Sequence, residues 1–381
     1  MKTPTMRSAL VLSAVALASA FSSGCDKKEK QRDSEDNPAS DAGASKASQV
    51  AADEPDLAKA MGSVAAARAN PGASAAGGPP PTGIFGPGEA DKAAAKGAPA
   101  SMVVGSDGSE PRVLLGSAPK PGTKRAGTVD VATQSDPQQG AIPIQFAVTL
   151  EALKPKAEGE AKPKAEGDTG AALPATVPPP TPIVVKVTSA KINAPSVPAD
   201  LANAVSKLKG ARVEYQVGAD GTAVNLRSEI PKGVDPGFRD PVQALGDLLV
   251  GVTLPFPRKP IGLGGYWMVT SREVAMGLDV VTYRMVKVEK IEGTLVTLSV
   301  NTKRYAASPA FDIEGLPPDA PKTMGEFRSA GEGKISVVVG EAVPKEGDLQ
   351  AMIGAALGPA DAKQRPMVQV QTRASFQLAA P

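Results

Sequence analysis

The chain has 381 residues, carries 42 Lys and Arg against 40 Asp and Glu, and contains one cysteine and no histidine. The absence of histidine removes imidazole general bases, Ser-His-Asp and Cys-His nucleophiles and histidine metal sites, and a single cysteine permits no internal disulfide. Balanced charge gives no electrostatic footprint for nucleic acid, and an aromatic content of 3% argues against stacking platforms for bases or sugars.

At the N-terminus, Lys2 and Arg7 precede an apolar run from Ala9 to Ala18 that is too short to span a bilayer. Small residues follow, Ser19-Ala20-Phe21-Ser22-Ser23-Gly24, then Cys25 and the charged stretch Asp26-Lys27-Lys28-Glu29-Lys30. This layout resembles a bacterial lipoprotein signal, with Ser22 standing where that family prefers leucine. The resemblance implies a signal peptide over residues 1–24, cleavage before Cys25, and palmitate-type acylation that anchors the chain to a membrane of the cell envelope, facing the periplasm or its equivalent. The residues alone leave two other readings, a secretory cleavage after Ala18 or Ala20 and an uncleaved anchor. Two or three acyl chains hold a protein persistently where one binds marginally. No other segment reaches the roughly 18 consecutive apolar residues of a spanning helix. Asp26 resembles an inner-membrane retention signal of some bacteria, and the sequence leaves inner and outer membrane both open.

Residues 25–108 are rich in Ala, Gly, Ser and Pro, which predicts a disordered tether with a coil-like reach on the order of 50 Å. Within it, Asp53–Met61 carries acidic residues and a proline ahead of Ala-rich helix formers, the pattern of a transient helix. Ile84-Phe85, between glycines and prolines, reads as an incidental apolar pair in the tether, with a small docking peptide as the other reading.

Residues 109–381 change to short β-type runs between Gly, Pro and Asp turns. Ile144, Phe146, Val148 and Leu150 alternate with polar neighbours, as do Ile183, Val185 and Val187, and then Val213, Tyr215 and Val217. Between the first two lies 154–181, a Lys-Pro-Ala-Glu repeat running into prolines, which predicts a disordered insertion. Gly218-Ala219-Asp220-Gly221 signals a hairpin returning through Val224 and Leu226. Asp240 and Pro241 read as an N-cap and first turn, with Val242, Leu245, Leu248, Leu249 and Val252 at helical spacing to cover the sheet. Asp247 reads as a solvated flank. Gly262-Leu263-Gly264-Gly265 leads into a strand pattern and not a helix, so it reads as a turn rather than a phosphate loop. Further hairpins are expected from Leu278 to Val300, turning at Glu292-Gly293, and around Gly331-Glu332-Gly333. Leu278–Val288 holds apolar residues at both parities, so both of its faces are expected to be covered. Val368 to Leu378 alternates over eleven residues and closes a mainly β fold: a curved antiparallel sheet or half-barrel of long hairpins with one covering helix.

The signal, the Ala/Pro tether and the hairpins around a helix resemble uncharacterised bacterial envelope lipoproteins, and more loosely the half-barrel lipoprotein carriers. Leu254-Pro255-Phe256-Pro257 followed by Gly262 to Trp267 is similar to an element of the uncharacterised group, which carries no catalytic residues over. The carboxylates Asp235, Asp240, Asp312 and Glu314 fall in turns and strand faces, and no calcium-loop pattern occurs, so neither a catalytic pair nor a metal or other cofactor is implied. Two functions are expected. The first is a non-enzymatic interaction or scaffold lipoprotein that meets a protein partner, with the membrane as its other contact. The second is a carrier of an apolar or lipid-like ligand, lined by Val281, Tyr283, Met285 and Trp267, although Trp267 reads first as core packing and only second as a binding platform. A cavity in the inner face of the sheet separates the two.

Overall fold

An alternating strand buries one face only, so a set of long alternating strands requires a common cover. The computed structural model describes residues 80–116, 119–134, 140–155, 179–218, 221–275, 278–311, 321–341, 343–359 and 366–379. The expected signal peptide, Cys25, the transient helix expected at Asp53–Met61, the greater part of the expected 154–181 insertion, Asp312 and Glu314 lie outside these residues.

The strands are β1 (Ser101–Ser106), β2 (Ser109–Val113), β3 (Lys124–Gln134), β4 (Ile142–Ala152), β5 (Thr181–Ile192), β6 (Arg212–Val217) and β7 (Ala223–Glu229). They continue as β8 (Ile261–Leu263), β9 (Tyr266–Ala275), β10 (Leu278–Glu292), β11 (Leu295–Ala306), β12 (Met324–Val338), β13 (Glu346–Leu357) and β14 (Met367–Ala379). The helices are α1 (Glu89–Ala93), α2 (Ala199–Ser206) and α3 (Arg239–Val252). Twelve strands form one sheet in the order β1-β9-β10-β11-β12-β13-β14-β3-β4-β5-β6-β7, with β2 and β8 as a separate pair. Every pairing in the large sheet is antiparallel. The fold is the curved, mainly β architecture that the alternation predicts.

Curvature follows from what α3 and its exit touch. In the sheet order, nine neighbour steps separate β9 from β6, and at about 4.8 Å per step a flat sheet would hold them some 43 Å apart. Yet Gly246 of α3 packs against Leu226 of β7 and Val213 of β6, while Asp247 on the next position lies within Coulombic reach of Glu273 on β9 and Arg304 on β11. The Leu254 carbonyl abuts Gly221 in the β6–β7 turn, and the next carbonyl, of Pro255, accepts the Trp267 indole N–H of β9 at 3.0 Å. The sheet therefore curls around α3 and the following Leu254–Phe256 stretch. Its inner face carries one apolar cluster from Val129, Phe146, Val185 and Val213 through Leu245 and Leu249 to Trp267, Val286 and Leu298.

Three expectations are corrected. The folded part begins within the expected tether: α1 and β1 precede residue 108, and Ile84-Phe85 is docked against β11 and β12, because both side chains find apolar clusters to fill. Helix α3 begins at Arg239, and the cap is made earlier, where the Asp235 carboxylate accepts the Gly237 N–H at 2.8 Å to close a 3-10 turn over Pro236–Phe238; Asp240 lies in the first helical turn. Gly331-Glu332-Gly333 is no turn but the middle of β12. A Cβ at Gly333 would come within 2.6 Å of the Asp348 carbonyl, so glycine there serves close strand approach. On the second face of Leu278–Val288, Phe85 and Val103 pack with Tyr283 and Met285, so this strand has buried residues at both parities, as expected.

Phe146 is fully buried and Val274 is 70% exposed. Phe146→Ala is expected to cost about 3–5 kcal/mol, and Val274→Thr less than about 0.5 kcal/mol, in denaturant unfolding followed by circular dichroism.

Candidate functional site

Strand parity sorts the side chains of β9, β10 and β11 onto two faces. On the inner face, β10 presents Leu278, Val280, Thr282, Arg284, Val286 and Val288, paired with Glu273, Ser271 and Trp267 of β9 and with Arg304, Thr302 and Val300 of β11. In the middle of this apolar surface sits an ionic group. Arg284 donates to Glu273 Oε2 at 2.8 Å, Arg304 Nε donates to Oε1 at 3.2 Å, and the buried Thr282 hydroxyl donates to Oε1 at 2.7 Å. Side-chain exposures are 26% for Glu273, 10% for Arg284 and 16% for Arg304.

Burial alone would raise the Glu273 pKa, but the Arg284 and Arg304 charges and the bonds from Thr282 and Arg304 overcome it and hold the carboxyl at about 2. Desolvation lowers the Arg304 pKa against the pull of Glu273. Asp247 keeps contact with solvent, but burial of its carboxyl raises its pKa, opposed by the bond from Gln243 Nε2 at 2.9 Å. Its side chain is exposed, as expected of a solvated flank, and it also lies within Coulombic reach of Glu273 and Arg304. The hydroxyls of Ser271 and Ser329 are buried on this same face with no hydrogen-bond partner. A carboxylate clamped far below neutral pH is a weak general base and is not protonated to act as an acid. No group of three or more Asp, Glu, Cys or His side chains suited to a metal occurs among the described residues.

The ionic group divides the inner face. On one side lies the closed core around α3. On the other lies a smaller cluster of Leu278, Val280, Ala306, Phe311, Met324, Phe327 and Ala355, whose surroundings stay partly open, since Val368, opposite Ala355, is 47% exposed.

The outer face is different. Asp130, Ser299, Asn301, Glu332, Lys334, Asp348, Gln350, Arg373 and Ser375 line a groove of about 620 Å³ across β3, β14, β13, β12 and β11. In register, Lys334 faces Asp348, Asp348 faces Ser375, and Gln350 lies between Glu332 and Arg373. Beside the groove, Tyr283, Met285, Met268, Tyr305, Val103 and Phe85 form a small apolar patch with edge-on contacts between Phe85, Tyr305 and Tyr283 at 5.9 Å. Arg272, bonded to Asp279 at 2.8 and 3.0 Å and paired with Asp91, fastens α1 beside it.

Of the residues singled out as ligand contacts, Val281, Tyr283 and Met285 share this outer face, while Trp267 is fully buried on the inner face against Phe256. The structure brings the first three near one another and does not bring Trp267 to them, so the four do not line one cavity. Sequence reasoning missed Glu273, Arg284 and Arg304. Their signal was available: charged residues at core parity within strands whose other core positions are uncharged.

No family model and no curated protein matches the chain. Among solved structures, one described as lipid-protein interactions in lipovitellin is similar over 68% of this chain at 11% identity and a TM-score of 0.38. The chain spans 26% of that protein's length, and a likeness of this extent carries no argument for fold or ligand.

The pKa of Glu273 sets an acid limit. Its folded value is below the ordinary 4.5, so its stabilisation is complete above about pH 4.5 and is lost as pH falls from there through about 2, on the order of 3 kcal/mol in all. Glu273→Gln should cost about 3 kcal/mol at pH 7, because it leaves two buried arginines without their anion, and should flatten that acid limb in urea titrations run from pH 6 to pH 2.

Proposed function

We propose that the chain is a lipid-anchored envelope protein, acylated at Cys25, whose β-domain is a non-enzymatic interaction module meeting a protein partner away from its membrane. The observation that carries this reading is the division of the two faces. The inner face is occupied by the chain's own side chains, from Phe146 and Leu245 to Trp267, while the outer face offers a broad groove of mixed charge. Such a groove suits a polar protein surface, whose charges set register and rate of encounter more than raw affinity. The clamped Glu273 and the lack of any histidine give no support to an enzyme.

A second reading, an amphiphile carrier, is favoured by one observation: beyond the ionic group the inner face keeps an exposed apolar side chain at Val368, opposite Ala355. Its ligand would lie between that end of the sheet and the arginines, and not at Val281, Tyr283 and Met285.

The experiment that decides is native mass spectrometry of the detergent-extracted protein with the intact mass of its N-terminal peptide. The expected result is acyl mass on Cys25 and a domain free of bound lipid. Cys25→Ser should move the protein from the membrane pellet to the soluble fraction. An unmodified Cys25 overturns the anchor, and stoichiometric lipid on the domain transfers the argument to the carrier.

A further inference from the structure

Strands β11 and β12 pair only from Leu295 and Val338 as far as Thr302 and Gly331. Beyond that point both continue, β11 to Ala306 and β12 back to Met324, and residues 82–85 lie in the opening. Phe327 donates its N–H to the Thr82 carbonyl, Ala306 donates to the Gly83 carbonyl and Phe85 donates to the Ala306 carbonyl, each at 2.9 Å. Ile84 bridges Ala306 in parallel.

The fit is specific. Gly83 has φ of 75°, and a Cβ there would stand 1.8 Å from the Phe327 carbonyl oxygen, so no other residue can occupy that position without moving β12. Its neighbours part to opposite faces. Ile84 joins the inner cluster of Val280, Ala306 and Phe327, and Phe85 joins the outer patch against Tyr305. The segment thus closes both faces where the sheet splits.

We propose that the opening between β11 and β12 is a strand-accepting slot, filled here by the chain's own Thr82–Phe85, and that its donor in an assembled form is the same segment of a second copy of the chain. The slot rejects a Cβ at one position and asks for two apolar side chains of opposite orientation after it, and every copy carries that segment. Gly86-Pro87-Gly88 follows directly, with Gly88 at φ 73°, as the hinge about which the segment swings. Beyond the hinge, α1 stays fixed by the Asp91–Arg272 pair and by Arg272 donating to the Ala94 carbonyl at 3.3 Å. Exchange re-forms the same three hydrogen bonds and both apolar contacts, so it sacrifices little beyond the hinge conformation, the condition under which swapping occurs. The intramolecular segment wins in dilute solution, and crowding of copies favours the exchanged form. Crowding by a shared membrane rests on the anchor reading; the slot does not.

The test uses the full chain as Cys25→Ser, so that failure of the anchor and failure of the slot are distinguishable. Native mass spectrometry across concentrations up to about 100 µM should show a dimer fraction that rises with concentration and falls about tenfold with Gly83→Val. The Gly83→Val chain should then bind a synthetic peptide of residues 80–88 at one to one, about tenfold tighter than the chain with its slot filled, and should not bind the peptide carrying the same substitution. If Gly83→Val does not melt cooperatively, Ile84→Ala with Phe85→Ala takes its place and must lower the dimer fraction. A chain that stays monomeric throughout, a dimer that survives these substitutions, or a folded Gly83→Val chain that takes up no peptide overturns the proposal.

Discussion

The sheet holds its shape because its two ends share one cover. A wide antiparallel sheet with one apolar face has to bend or find a second layer, and α3 alone presents a single stripe. Leu254-Pro255-Phe256-Pro257 supplies the remainder. A residue before proline is pushed towards extended backbone, so Leu254 and Phe256 stay extended, and both are buried. The prolines lack the N–H that would draw this stretch into a ladder. The Pro255 carbonyl is thereby free to take the indole N–H of Trp267, the one polar atom of a large ring that burial would otherwise leave unmet. One short stretch touches the β6–β7 turn on one side and β9 on the other, and the curvature of every strand between them follows.

Against that cover the ionic group of Glu273, Arg284 and Arg304 looks out of place, since buried ion pairs bring little net stability over apolar residues of the same size. Its position gives it a different effect. It joins three adjacent strands on a diagonal, with Glu273 opposite Val280, Arg304 opposite Thr282 and Arg284 opposite Thr302, and a shift of either pairing would pull the arginines away from the carboxylate. Register in a strand with apolar residues at both parities is poorly set by hydrophobicity alone, and β10 is such a strand. The charged group sets it instead, and in doing so it leaves a polar boundary between the closed core and the half-open end of the interior.

How much of this was legible in the sequence follows from which forces are local. Period-two runs such as Ile144–Leu150 and Val368–Leu378 name their own strands because burial of one face is written into the spacing, and the Glu292-Gly293 turn is written the same way. The helix was legible from Val242 to Val252, but its start was not: Asp235 caps a preceding 3-10 turn, and a proline at position 241 looks alike in either arrangement. Gly331 and Gly333 read as a turn because glycine marks both turns and tight strand approach, and only the partner strand distinguishes them. Ile84 and Phe85 read as incidental because their partners, Ala306 and Phe327, lie more than two hundred positions away. The ionic group lies on neighbouring strands only 11 and 31 positions apart, and its charges at core parity could have been noticed.

Edges complete the reasoning about where another molecule can meet this domain. The sheet ends at β1 and β7. An exposed strand edge invites pairing with any extended chain, but β7 is packed by α3 through Leu226 and Gly246, and β1 is six residues long with an irregular register between Val104 and Ser106. Both are poor templates. The backbone that β11 and β12 do not offer each other lies inside the sheet, where they separate, and it is bonded to residues 82–85, in which Gly83 leaves no room for a Cβ. Backbone pairing at the proposed slot would be restricted to a segment with glycine at that position, and on the proposed interaction reading a partner protein would meet the mixed-charge groove on the outer face, where side chains and not the ladder decide what binds.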